Sequence, residues 1–172
     1  MRTARDEAFT EYVAARLPWL SRVAYLLCQD RSRAEDLVQT AITRLYVHWR
    51  RAAAADNLDG YVRAILVRVY LSDQRTAWSR RVTVTAAIPD EAAGAADLEA
   101  QMDLRAALSA LAPRQRAVVV LRYYCDLSVD ETAAVLGCSA GTVKSQTARG
   151  LDALRRLVVS PSGFPVKGTS SP

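Results

Sequence analysis

The sequence predicts an all-α protein with two small helical domains joined by a flexible linker. Apolar residues recur at spacings of three and four over most of the chain, which is the period of an amphipathic helix. Two capping-box patterns, at Ser32 and Ser128, precede such stretches. Between them lies a net acidic, alanine-rich stretch that contains Pro89 and Gly94, which is typical of a linker. The predicted units are an N-terminal domain (1–81), the linker (82–97), a C-terminal domain (98–159) with a helix-turn-helix, and a disordered tail (160–172).

The composition limits the classes of function. Of the 172 residues, 51% are hydrophobic and 24% are charged, as in folded proteins. The net charge of +5 favours an anionic partner, such as nucleic acid or a membrane surface. No apolar run approaches the roughly 18 residues of a membrane span. The N-terminus lacks the apolar core of a signal peptide. We therefore expect a cytoplasmic protein that does not insert into membranes.

Cysteine and histidine usage argues against a metal site. The chain has three cysteines, Cys28, Cys125 and Cys138, without CxxC spacing, and His48 is its single histidine. This pattern predicts reduced core thiols, no metal and no cofactor.

The first domain begins with two predicted helices. Residues 7–28 keep the helical rhythm, and Pro18 is expected to break or kink the helix. Ser32 and Glu35 are predicted to form the capping box of the second helix.

A third helix is predicted to follow a polar loop over residues 50–57, with Asn57 as its cap. Its apolar stripe is unbroken from Leu58 to Tyr70, and Asp73 is the one acid in the stretch after Asp59. The other face and the C-terminal extension carry basic, amide and aromatic residues: Arg63, Arg68, Gln74, Arg75, Trp78, Arg80 and Arg81. Arginine interleaved with aromatics is typical of contacts with phosphates and unstacked bases. The alternative is that the arginines only complement a helix C-terminus.

The second domain is predicted to begin with a helix over residues 98–111. Pro113 suits the first turn of the next helix, which runs to Tyr124 with Tyr124 buried. A helix-turn-helix follows over residues 128–157. Its first helix is capped by a box between Ser128 and Glu131, with Ala133, Ala134 and Leu136 as a short apolar face.

The turn and the second helix complete the motif. Gly137 ends the first helix and Ser139 caps the second. The polar face of the second helix carries Thr142, Lys144, Ser145, Gln146 and Arg149, and the stretch 140–150 contains no acid. Short hydrogen-bonding side chains with two cations suit a DNA major groove. The alternative is a helical hairpin with a solvated face, although such faces usually mix charge signs.

Three stretches of the chain resemble an extracytoplasmic-function (ECF) RNA polymerase sigma factor of the sigma-70 family, in its SigE-like actinobacterial group. These stretches are AEDLVQTAITRLYVHW (34–49), NLDGYVRAILVRVYLSDQRTAWSRR (57–81) and LSALAPRQRAVVVLRYYCDLSVDETAAVLGCSAGTVKSQTARGLDALRRL (108–157). They follow the family's order and spacing. The resemblance implies a sigma factor that binds core RNA polymerase and directs promoter-specific initiation.

The resemblance also implies roles for matching positions. The −35 element would be read as duplex by Thr142, Lys144, Ser145, Gln146 and Arg149. The −10 element would be bound as melted DNA by Asn57, Arg63, Arg68, Asp73, Gln74, Arg75, Trp78, Arg80 and Arg81. Core polymerase would be contacted by Asp36, Gln39, Thr40 and Thr43. The linker would thread the RNA-exit channel, and an anti-sigma factor could cover both DNA-binding faces.

The chain departs from the family pattern at three positions. Arg68 stands where the family often has Asn, and Gln146 replaces a common Arg, which exchanges a phosphate-binding cation for an amide. Gly150 lies inside the recognition helix and should cost about 1 kcal/mol relative to Ala.

Two other classes of function fit the sequence less well. A stand-alone helix-turn-helix regulator with an N-terminal dimerisation domain explains the C-terminal half but not the arginine-rich helix of the first domain. An enzyme is not indicated, because the sequence has no Gly-rich phosphate loop and no Ser-His-Asp-type triad, and no small-molecule substrate is expected.

Overall fold

The structure, a computed structural model, describes residues 3–80 and 103–159. Every regular element in these two ranges is helical, which confirms the all-α prediction. The helices are α1 (Ala4–Cys28), α2 (Arg31–Val47), α3 (Trp49–Ala53), α4 (Leu58–Arg80), α5 (103–109), α6 (Pro113–Val119), α7 (Val129–Leu136) and α8 (Ala140–Val159). A π-helix (Val120–Tyr124) continues α6. The predicted linker and tail, and the start of the helix predicted over 98–111, lie outside the described residues.

Pro18 was predicted to break or kink α1. The helix continues through Pro18, so it does not break there, and the kink stays a prediction. Pro18 lies on the exposed side of the helix, where water can hydrate the carbonyl group that loses its partner. The opposite side is fully buried and consists of Leu20, Val23, Ala24 and Leu27. Gln29 ends the helix in the left-handed conformation and donates its N–H to the Tyr25 carbonyl.

The start of α2 differs from the predicted capping box at Ser32. The cap is Asp30, whose Oδ1 accepts the Arg33 N–H at 2.8 Å. Asp and Ser are comparable caps, and the earlier one is used here. Glu35 instead accepts a hydrogen bond from Arg31 Nε at 3.2 Å.

The first half of the predicted loop over residues 50–57 is helical, because α3 occupies it. The burial of Trp49 and Ala52 explains this short helix, since both belong to the core. Asn57 does cap α4 as predicted, and its Oδ1 accepts the Gly60 N–H at 2.8 Å.

The helix predicted to begin at Pro113 is confirmed, but its second half is a π-helix. The Cys125 N–H donates to the carbonyl of Val120, five residues earlier, at 3.0 Å. The wider π turn changes the direction of the following side chains. Tyr124, predicted to be buried, is 44% exposed as a result.

The predicted helix-turn-helix is confirmed in its local chemistry. Ser128 Oγ accepts the Glu131 N–H at 3.1 Å, and Glu131 Oε2 accepts the Ser128 N–H at 2.7 Å. Gly137 has φ +64°, and Ser139 Oγ accepts the Thr142 N–H at 3.1 Å. The apolar face of α7 differs from the prediction: Ala134 is exposed, while Thr132, Ala133 and Val135 are buried.

The two halves of the described chain share one core. Helix α4 packs against α6 and α7, and α1 also contacts α6 and the π-helix. Buried residues of the second half join a cluster with Leu27, Leu66, Val69 and Tyr70 of the first half: Ala117, Val120, Leu121, Leu127 and Val135. We call this set the shared core. The halves are therefore in direct contact.

Candidate nucleic-acid interface

Four of the five predicted −35 residues lie on one stripe of α8. Thr142, Ser145, Gln146 and Arg149 follow one another at helical spacings of three and four. Lys144 is exposed but lies off this stripe. The opposite side is anchored by Val143, which is fully buried. The polar stripe is therefore held outward by packing of the apolar side of α8.

The start of the stripe is organised by local hydrogen bonds. Thr142 Oγ1 lies 2.9 Å from Ser139 Oγ, and Ser145 Oγ donates to the Thr142 carbonyl at 3.0 Å. These bonds fix the hydroxyls of the first turn. The longer side chains of Gln146 and Arg149 follow in the next turns.

The predicted −10 residues on α4 divide into separate groups. Arg68, Asp73 and Arg75 are exposed, and Gln74 is partly buried near them. The side chains of Trp78 and Arg80, and the whole of Arg81, lie outside the part that the structure describes. Only the middle of the predicted stretch can therefore be placed on a surface.

Two members of the −10 set also make contacts within the protein. The Arg63 guanidinium lies over the Trp19 ring, 5.3 Å from its centroid, and it is half-buried. Asn57 uses its side chain to cap α4. Neither residue lies with Arg68 and Arg75.

The start of α4 is tied to α1 by a small polar network. The Tyr12 hydroxyl donates to Asp59 Oδ1 at 2.8 Å, and Arg16 Nη2 pairs with Asp59 Oδ2 at 2.8 Å. Burial, followed by the hydrogen bond to Asp59, raises the pKa of Tyr12, which keeps the phenol protonated as a donor. This network fixes the start of α4 against α1.

The exposed parts of α4 and α8 meet at one cleft of about 670 Å³, which we call the basic cleft. Four arginines line it and no carboxylate does: its residues are Arg68, Leu71, Gln74, Arg75, Ala112, Pro113, Arg114, Gln115, Leu136, Gly137, Gln146 and Arg149. The structure thus brings residues predicted for the −10 and −35 elements onto facing walls. The absence of acids makes the cleft electropositive.

Arg114 and Gln115 are cleft residues that the sequence analysis did not single out. They occupy the first turn of α6, directly after Pro113. In the sequence they are polar residues at the start of a predicted helix. That position alone does not indicate which surface of the protein they face.

The four residues predicted to contact polymerase form an exposed stripe on α2. Asp36, Gln39, Thr40 and Thr43 are all exposed and follow helical spacing. The opposite side of α2 is buried against the core through Leu37, Val38, Ala41 and Leu45. Thr43 Oγ1 donates to the Gln39 carbonyl at 2.8 Å.

The stripe on α2 borders the end of α4. Asp36 lines a second cleft, of about 340 Å³, together with Asp73 and Gln74. The same cleft includes Cys28 and Tyr70, and burial raises their pKa values to about 11 and about 12. Both groups are therefore neutral near pH 7, and the charged residues that line this cleft are Arg33, Asp36 and Asp73.

The described residues contain no group of three or more His, Cys, Asp or Glu placed to hold a metal ion. Within the same residues, no helix combines the length and the apolar character that crossing a membrane requires. Cys28, Cys125 and Cys138 are all free thiols.

Comparisons with known proteins match both halves of the chain. The family model Sigma-70 region 2 matches residues 12–80, and the model Sigma-70 region 4 matches residues 101–154. The RNA polymerase sigma-E factor of Streptomyces avermitilis is 40% identical over 161 residues, which cover 88% of this chain and 86% of that protein. The sigma-E factor of Streptomyces coelicolor is 39% identical over the same shares.

Two solved structures are also similar to this chain over most of its length. The sigma factor RpoE from Bartonella quintana, solved in complex with the anti-sigma factor NepR, has a TM-score of 0.73 and 27% identity, and the match covers 91% of this chain and 99% of that chain. CnrH, solved in complex with the cytosolic domain of CnrY, has a TM-score of 0.61 and 26% identity, with 91% and 90% coverage.

Proposed function

This chain belongs to the extracytoplasmic-function group of the sigma-70 family of RNA polymerase sigma factors, and from that premise we propose how its residues perform promoter-specific transcription initiation. The protein binds core RNA polymerase, recognises the −35 element as duplex and recognises the −10 element as melted DNA.

The second half binds the −35 duplex through the stripe on α8. Gln146 is placed to hydrogen-bond base edges in the major groove, because an amide can both donate and accept. Arg149, Lys144 and the hydroxyls of Thr142 and Ser145 contact phosphates or base edges and set the register. The observation that supports this assignment is the acid-free, outward polar stripe on a helix anchored by buried Val143.

The first half captures the melted −10 strand along α4. Arg68 and Arg75 neutralise backbone phosphates, and Asp73 and Gln74 supply hydrogen bonds to bases. Trp78, Arg80 and Arg81, which follow in the sequence, are proposed to bind the −10 strand as well. Arg63 and Asn57 act as positioning residues, because their side chains hold α4 against Trp19 and cap its start.

The exposed stripe on α2 binds core polymerase. Asp36 supplies negative charge to a basic surface of the polymerase, and Gln39, Thr40 and Thr43 add neutral hydrogen-bonding groups. The domains proposed for these roles are residues 1–81 and 98–159, joined by the acidic segment 82–97.

Other properties follow from the family. Sigma factors are non-catalytic initiation factors, and we propose that this chain contributes no catalytic group, since phosphodiester formation belongs to the polymerase. It acts in the cytoplasm, where polymerase and promoters are. An anti-sigma factor is proposed as a partner, because the similar sigma factor RpoE from Bartonella quintana has been solved with one.

The function is tested by transcription from a promoter library with core polymerase, with and without the protein. We expect specific start sites that require both components, and their aligned upstream sequences should reveal the −35 and −10 elements. DNA binding without polymerase-dependent initiation would instead indicate a stand-alone regulator.

A further inference from the structure

The basic cleft contains a cation that the proposed promoter contacts do not use. Arg114 is exposed at the start of α6, lines the cleft and belongs to neither the −10 nor the −35 set. Arg149 lies on the same wall, and Arg68 and Arg75 lie on the α4 wall. In the described part of the chain, none of these four guanidinium groups forms an ion pair or a hydrogen bond. All four therefore remain available to a ligand.

The arrangement of the four arginines fits an anion with several charges. A cleft lined by one sign of charge focuses the electrostatic potential and concentrates ions of the opposite sign. Guanidinium groups bind phosphate oxygens with two parallel hydrogen bonds, so an arginine is well suited to a phosphate group. Because the arginines lie on two walls, an anion between them needs more than one phosphate to reach both walls. A chain of phosphates meets this requirement.

The size and the apolar lining of the cleft indicate a ligand larger than the phosphates alone. The volume of about 670 Å³ lies within the range of about 300–1,000 Å³ that small-molecule sites occupy. Leu71, Pro113 and Leu136 add an apolar surface to the same cleft. Inorganic phosphates have no apolar part to place there, whereas the face of a nucleobase can lie against such a surface.

The polar lining of the cleft also suits a nucleobase. Three amide side chains line the cleft: Gln74, Gln115 and Gln146. An amide both donates and accepts hydrogen bonds, and a base edge presents both donors and acceptors. Gln115, like Arg114, has no role in the promoter contacts proposed above.

We propose that the basic cleft is a binding site for a nucleoside triphosphate, with the phosphates between the arginines of the two walls and the base against the apolar residues and the amides. Arg68, Arg75 and Arg149 are also proposed to bind promoter DNA, so the nucleotide and the DNA compete for these three residues. The competition rests on the proposed function, whereas the nucleotide site rests on the cleft alone.

The site is tested by isothermal titration calorimetry of the full-length protein with ATP, GTP and inorganic tripolyphosphate, at one ionic strength. We expect at least one of the nucleotides to bind, and tripolyphosphate to bind about tenfold more weakly because it lacks the base. Failure of both nucleotides to bind would overturn the site. Tripolyphosphate binding as tight as that of the nucleotides would overturn the assignment of a nucleoside.

Two variants locate the site, one on each wall. Arg114→Gln and Arg75→Gln should each weaken nucleotide binding about tenfold, because each removes hydrogen bonds to a charged phosphate. Arg22→Gln is the matched control, since it removes the same charge from an exposed position of α1 that lines neither cleft. Circular dichroism confirms folding. Unchanged affinity in both test variants, or an equal loss in the control, would overturn the cleft as the site.

The competition is tested by fluorescence anisotropy with a labelled DNA duplex of mixed sequence. At a nucleotide concentration about ten times its Kd, and at matched ionic strength, the wild type should bind DNA about tenfold more weakly than without nucleotide. Arg114→Gln should show a smaller effect at the same concentration, because it keeps the proposed DNA contacts and binds less nucleotide. Unchanged DNA affinity of the nucleotide-bound protein would overturn the competition. Absence of specific transcripts would instead contradict the proposed function, and it leaves the calorimetry of the DNA-free protein intact.

Discussion

Gly150 shows how one residue adapts α8 to its neighbour. A Cβ atom at this position would lie 3.0 Å from Val119 Cγ2 and 3.8 Å from Gln115 Cβ, so the helix backbone approaches α6 closely here. Val119 is β-branched and has one favoured rotamer in a helix, so it cannot move aside easily. The cost in helix propensity that the sequence indicated is therefore offset by tight packing between α6 and α8.

We expect Gly150→Ala to lower the free energy of unfolding by about 1 kcal/mol, because overpacking outweighs the gain in helix propensity. Gly141→Ala is the matched control in the same helix, since a Cβ there has Ser139 Oγ at 3.8 Å as its nearest neighbour. That variant should gain up to about 1 kcal/mol. Urea unfolding of both variants checks the difference, and equal effects would contradict the packing argument.

Residue roles were predictable from the sequence where local chemistry decides them. The Ser128–Glu131 box and the left-handed Gly137 depend on a few neighbouring residues, and both were found as predicted. Arg63 could not be placed in this way, because its contact with Trp19 joins residues far apart in the chain. A basic residue on a predicted polar face can equally be part of a structural contact.

At the scale of an element, α8 concentrates the proposed −35 contacts at its N-terminal half. Arg155 and Asp152 form an ion pair at 3.2 Å in its last turns, with the Arg155 side chain 72% exposed. The two halves of this helix therefore carry arginines in different settings: Arg149 lines the basic cleft, and Arg155 is paired at the surface.

We expect Arg149→Gln to weaken binding of a promoter duplex about tenfold and to reduce the slope of log K against log salt by about 0.9, because one phosphate contact is lost. Arg155→Gln removes the same charge from the same helix and should change neither quantity appreciably. Fluorescence anisotropy over a salt series measures both. A matching loss in the two variants would indicate a general charge effect instead of a contact.

The positions of the long helices were predictable more than their detail, and the short α3 was missed because it lies in a predicted loop. The three-four rhythm located α1, α2, α4 and α8 because burial of one face is repeated along each helix. The rhythm does not report how a proline is accommodated, so it did not show whether α1 would break at Pro18. It also does not distinguish an α turn from a π turn, and the exposure of Tyr124 followed from that difference.

At the scale of the whole molecule, the polymerase stripe lies outside the basic cleft but borders the proposed −10 residues, since Asp36 shares the second cleft with Asp73 and Gln74. The α2 stripe is exposed, while the walls of the basic cleft face each other. The sequence indicated two domains but not the contact between them. An apolar residue such as Val135 is expected to be buried, but the sequence does not show which residues it packs against. Val135 and Leu127 belong to the shared core, and residues far away in the chain complete it.

We expect Asp36→Arg to weaken binding to core polymerase at least about tenfold, since it reverses a charge at the proposed contact. Glu11→Arg is the control, because it makes a similar charge reversal at an exposed position of α1, outside the stripe. Titration of labelled protein with core polymerase compares them, with circular dichroism to confirm folding. Wild-type affinity of Asp36→Arg would remove α2 from the polymerase interface.

The shared core also has a thermal consequence. Separation of the halves exposes aliphatic surface, and exposure of such surface carries a positive heat capacity change. The free energy that holds the halves together therefore varies with temperature along a curve, and cooling weakens its apolar contribution.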